Sequence, residues 1–137
     1  MIRQNIIMLA VLAMVIMFAA SCAETEDPLV DISFDGTILL TSSAVDENMI
    51  IEEPETVFEA NEKFYFYIST EGPFAADHIT VQLICSATER VMAETDYPVD
   101  FESAEITDMI WFSGPGRYRI AVSVDGEIRA VREIVIE

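Results

Sequence analysis

The sequence predicts an all-β fold, an antiparallel sandwich of about seven or eight strands behind a helical signal peptide. Three observations carry this expectation. Beyond residue 28 no window repeats its apolar residues at the helical period, short segments alternate apolar and polar residues, and Gly, Pro, Asp and Asn punctuate those segments. The expected strands are 29–34, 37–42, 63–69, 79–86, 90–96, 106–112, 116–124 and 127–136. Eight short strands in about 110 residues suit two packed sheets.

Each element follows from its pattern. In 63–69, Phe64, Phe66 and Ile68 share the core parity while Tyr65 and Tyr67 point outward; in 79–86, Ile79, Val81, Leu83 and Cys85 share one face. Cys85 reads as a small buried hydrophobe. The acidic stretch between Ser43 and Asn61 reads as loop, with Met49-Ile50-Ile51 as a candidate short strand. At the C-terminus, Tyr118, Ile120, Val122 and Val124 alternate with polar or small residues, and Asp125-Gly126 marks a hairpin turn. A three-residue loop with Gly126 as a left-handed bulge pairs Val122 with Ile128 and Ile120 with Ala130, apolar against apolar, so that register is expected.

Composition divides the chain. It has 137 residues, is 52% hydrophobic and carries a net charge of minus 18, yet residues 6–20 are uninterrupted apolar residues and all 25 acidic residues follow residue 21. With Arg3 ahead of a 15-residue apolar run, where a bilayer core needs about 20, the leader reads as a signal peptide over residues 1–21. Removing it leaves six basic residues against 25 acidic ones, a net of minus 19. Such a charge repels nucleic acid and anionic headgroups.

The leader ends Phe18-Ala19-Ala20-Ser21-Cys22. This resembles the lipobox of bacterial lipoproteins, with Ala19 where leucine is usual. The resemblance implies diacylglycerol on Cys22 as the new first residue, a membrane anchor and an envelope location, more in keeping with the outer membrane than the inner because Ala follows the cysteine. Residues 22–28 form an acidic, proline-ended tether spanning at most roughly 23 Å, and residues 29–137 form the domain. The chain has only two cysteines, so a Cys22–Cys85 disulfide is the alternative fate of Cys22.

Pro115-Gly116-Arg117-Tyr118, just before the penultimate strand, resembles the Pro-Gly-x-Tyr lead-in of bacterial immunoglobulin-like and fibronectin-III-like modules. The resemblance spans roughly residues 58 to 137. It implies an immunoglobulin-like sandwich with a tyrosine buried at a corner between the sheets, and it implies no activity.

Few side chains suit catalysis. The chain has one histidine, His78, placed at odd spacing from Cys85, and Gly114-Pro115-Gly116 leads into a strand rather than a helix. The expectation is a non-enzymatic binding or assembly module without a cofactor or metal, partnered by the membrane and an envelope protein. Candidate contact residues are Tyr65 and Tyr67, a pair of outward aromatics, and Arg117, Arg119 and Arg129, a basic stripe on an acidic body. Pairing with Glu127 and Glu133 is the alternative for the arginines. Two acidic clusters, Asp46 to Glu55 and Asp100 to Asp108, leave open an accessory role in binding calcium or carbohydrate.

Overall fold

The computed structural model describes residues 28–137; the expected signal-peptide helix, Cys22 and the tether before Pro28 lie outside the described residues. The fold is an all-β sandwich of two sheets. Its strands are β1 (Asp31–Ser33), β2 (Ile38–Ser42), β3 (Val57–Phe58), β4 (Phe64–Ser69), β5 (His78–Cys85), β6 (Val91–Pro98), β7 (Glu105–Ile110), β8 (Gly116–Val124) and β9 (Glu127–Ile136). One sheet runs β1-β9-β8-β5-β6 with β3 also on β9; the other is β2-β4-β7.

The eight expected strands are present, the last two with the expected ends and the other six with ends shifted by one or two residues. The ninth, β3, is only two residues long and pairs parallel to β9, which two-residue alternation cannot reveal. Met49-Ile50-Ile51 is not a strand: Asp46 turns the chain back, its carboxylate accepting from the Asn48 and Ile50 amides at 2.8 and 2.9 Å.

The core forms where the alternating faces meet. Phe64, Phe66 and Ile68 of β4 lie against Ile79, Val81 and Leu83 of β5 and Ile120 and Val122 of β8 in one cluster. Phe58 stacks on Phe64 with ring centres 4.3 Å apart, which gives the short β3 its hold. The corner before β8 depends on Tyr118. Its hydroxyl donates to the Gly114 carbonyl at 2.8 Å while its ring meets Phe112 edge-on. Gly116 enters β8 at a φ of 145°, open to glycine alone, and a Cβ on Gly114 would come within 2.9 Å of the Tyr118 oxygen.

The C-terminal hairpin corrects the expected register. Asp125 and Gly126 both have positive φ, 51° and 79°, a two-residue turn that sets Val124 opposite Glu127. Continued unbroken, that register would bring Arg129 opposite Val122 on the core face. Instead the pairing shifts between Val122 and Ser123, Arg129 becomes the extra residue of a bulge, and Ala130 meets Val122. Apolar still faces apolar, but the correction is made after the turn and not within it. Ile120 therefore sits opposite Arg132, a core-facing arginine whose Nε donates to Thr41 Oγ1 at 3.1 Å and whose Nη1 reaches Asp31 at 3.3 Å. Thr41 in turn donates to the Glu55 carbonyl at 2.6 Å, tying β9 to β2 across the sandwich.

Tyr118→Phe is expected to cost about 1 to 2 kcal/mol, since it removes one buried hydrogen bond and leaves the Gly114 carbonyl short of a donor. The midpoint of urea unfolding, at unchanged slope, measures it.

Candidate interaction surfaces

Tyr65 and Tyr67 project from the middle strand of the smaller sheet, away from the core and both partly buried. Thr107, paired with Tyr67 on the neighbouring β7, donates to the Met49 carbonyl at 3.2 Å. The 43–56 loop starts at β2 and so passes over β4 to reach β7. Tyr67 itself donates to Glu105 at 2.6 Å, and this bond, with partial burial and the charge of Glu105, raises its pKa. The loop is thus anchored beside Tyr67, on the face the two tyrosines share.

The three arginines stand beside carboxylates. Arg117 Nε lies 3.4 Å from Glu133, with both side chains under a tenth exposed. Glu133 also accepts from the Val30 amide at 2.9 Å and the Ser86 hydroxyl at 2.7 Å. Arg119 pairs with Glu89, and Arg129 with Asp35 at 3.1 Å. Alternation placed Arg117 on the outer face correctly, but the segments around Val30 and Ser86 fold onto that face and bury it. Of the alternative partners, Glu133 takes part and Glu127 does not appear among the ion pairs of the described residues.

The acidic clusters organise loops. Glu55 accepts from the hydroxyls of Ser43 and Ser42 and from the Ser43 amide, and these bonds hold its carboxyl below the usual range. Among the described residues no three carboxylate, histidine or cysteine side chains converge as a metal site. His78 Nδ1 lies 2.7 Å from the Asp77 carboxylate on the surface; the bond raises the histidine and lowers the aspartate. Cys85 is fully buried at the end of β5, and its sulfur is disulfide-bonded.

One surface had no place in the expectations from sequence. Between β6 and β7, the outermost strands of the two sheets on one side, runs a groove of about 270 Å³ lined by Val81, Leu83, Ala93, Tyr97, Ile110 and Trp111 among others. Trp111 and Met109, 58% and 45% exposed, form its rim. Tyr97 spans the floor: its ring meets Phe66 edge-on and its hydroxyl bonds Asp108 of β7. Burial first, then that bond and the Asp108 charge, push the Tyr97 pKa up to about 12. β6 itself, Val91–Pro98, has no buried residue on either face. Its weak Ala-Thr inner face was the one sequence signal of an uncovered strand.

No protein-family model and no curated protein sequence matches the chain. Among solved structures it is similar to a DUF3244 family protein with an immunoglobulin-like β-sandwich fold from Bacteroides vulgatus, at 16% identity over 80% of this chain and all of that one, with a TM-score of 0.41. It is also similar to the sulfur carrier protein SoxY of Chlorobium limicola, at 13% identity over 73% and 74% of the two chains and a TM-score of 0.40. A third is the CARDB domain of a Pyrococcus furiosus protein in complex with di-metal ions, at 13% identity over 77% and 97% and a TM-score of 0.39.

The geometry yields two predictions. Arg117→Ala leaves the Glu133 carboxylate buried without its cation, and calorimetry should record a loss of about 3 to 5 kcal/mol. In an NMR titration His78 should protonate above the ordinary value of about 6.5, and Asp77→Asn should bring it down. A raised histidine stabilises the fold fully below its unfolded pKa and loses that contribution as pH rises through the folded one. The lowered Asp77 contributes above its own unfolded pKa and loses this as pH falls through its folded one. The pair therefore acts in the window between the two, and weakly, because both side chains are exposed.

Proposed function

We propose that this chain is an exported, non-enzymatic binding module of a bacterial envelope, held at a membrane by lipid on Cys22. The observation that carries the reading is the leader: Arg3, the apolar run 6–20 and the small residues before Cys22. Buried acyl chains contribute about 0.8 kcal/mol per methylene, enough to keep in place a domain whose charge an anionic bilayer repels. Binding rather than catalysis is supported by how the polar side chains are used. The single histidine is engaged with Asp77 on the surface, Cys85 is buried, and the groove between β6 and β7 is lined mostly by apolar residues.

A second reading has its own observation. Cys85 is disulfide-bonded, and a sulfur carrying diacylglycerol cannot also bridge it. Under this reading the leader is removed by ordinary signal peptidase, Cys22 pairs with Cys85, and the domain is exported without lipid.

Mass spectrometry of the mature amino terminus separates the two. The lipid reading expects an N-terminal peptide starting at Cys22 with its sulfur in a thioether, and partition of the protein into detergent. A lipid-free Cys22 peptide crosslinked to the Cys85 peptide until reduction would sink it.

A further inference from the structure

We propose that the free edge of β7 takes up an extended, cationic segment of a partner protein as a fourth strand of the smaller sheet, its inward side chains filling the groove beside β6. This rests on the binding-module reading and names the partner's chemistry.

The sheets differ in width. β6 extends past β7, so beyond Tyr97 the inner face of β6 is uncovered: Ala93 and Thr95, which pair with Leu83 and Val81 of β5, are exposed. A strand added alongside β7 would lie over these residues, in the groove lined by Leu83, Ala93, Tyr97, Ile110 and Trp111.

The edge has the groups that strand addition uses. Thr70 N–H donates to the Ala104 carbonyl, so along β7 the residues in register with Ala104, namely Ile106, Asp108 and Ile110, bond β4. The backbone groups of Glu105, Thr107 and Met109 point the other way, and among the described residues no strand pairs with them. The Asp108 carboxylate covers the Met109 amide at 2.8 Å, leaving the Glu105 and Thr107 amides and all three carbonyls for a partner. The strand is six residues long, so an incoming segment would pair over about 20 Å.

Charge selects the occupant. From Val91 to Phe112 the chain carries Glu94, Asp96, Asp100, Glu102, Glu105 and Asp108 and neither lysine nor arginine. A second copy brings a net charge of minus 18 to this edge, and the chain's own tether brings Glu24, Glu26 and Asp27, so both are repelled. A segment alternating apolar residues with Lys or Arg satisfies groove and rim together.

The test uses the mature exported protein and a capped octapeptide of alternating Lys and Val. Expected are saturable binding that weakens with salt, slowed hydrogen exchange at the Glu105 and Thr107 amides, and no binding of the Glu-Val counterpart. Methylating alternate peptide amides on the parity that faces β7 should weaken binding at least tenfold. Ala93→Arg, at an exposed site, puts charge and bulk into the groove; Thr107→Pro removes an edge donor without touching the β4 ladder. Each should weaken binding at least tenfold, with the fold checked by circular dichroism.

Binding unchanged by Ala93→Arg, or by methylation on either parity, reduces the effect to general electrostatics and overturns the proposal. Dimerisation through the β7 edge in sedimentation, or crosslinks from it to residues 22–28, overturns it in favour of those occupants. A protein that crosslinks an envelope partner yet ignores the peptide loses the groove assignment and keeps the binding-module reading; one that crosslinks nothing and ignores the peptide loses both.

Discussion

A sheet three strands wide cannot cover the inner face of one that is five strands across, and most of this molecule follows from that mismatch. β2, β4 and β7 are spent over β9, β8 and β5. Where cover exists, Phe66, Ile68, Ile79, Ile120 and Ile134 are wholly buried. Where it ends, every residue of β6 except Tyr97 stands exposed. The two sides of the sandwich are consequently unlike. On the β2 side, Arg132, Thr41 and the Glu55 carbonyl form a buried polar link between the sheets, and β3 is pinned by the Phe58–Phe64 stack. On the β7 side, Tyr97 and Asp108 make the connection described, above which the groove remains.

This division marks what the sequence made legible. Period-two alternation is a local property, and it placed eight strands and their core residues because each strand records its own two faces. Registers and widths are relations between strands. The hairpin shows the difference: Asp125-Gly126 announces a turn, but whether the phase is corrected inside it or at Arg129 depends on what Val122 and Tyr118 must face, and both solutions keep apolar residues together. For Arg117 the alternation gave the face and not its cover, because Val30 and Ser86 come from distant parts of the chain. The groove was invisible for the strongest version of this reason. No residue in it is unusual; it exists because no strand follows β7 in its sheet.

The acidity also divides by position. Some carboxylates are structural partners: Glu133 gathers an arginine, an amide and a hydroxyl, Glu55 gathers two serines, and Asp46 folds its own loop. Of these, only Glu133 has a cation beside it; the neutral donors at Glu55 and Asp46 hold local geometry. Those along β6 have less to do at home. Glu94 and Asp96 bond only uncharged Gln82 and Thr80 across the strand, and their charge is not cancelled.

An exposed sheet edge beside an apolar groove is a template for pairing with any available strand, including that of another copy. Proteins commonly blunt such edges with lysine, proline or a bulge. Here Pro98 ends β6 and Asp108 folds back onto the Met109 amide, but the main protection is negative charge, present on the edges and on every other copy alike. Protection by one sign of charge is selective in a way that a proline is not. It excludes the chain itself and other acidic surfaces, and it leaves the backbone groups of Glu105 and Thr107 usable by a strand of opposite sign. The carboxylates that keep the open side from aggregating are therefore the same ones that would choose its occupant.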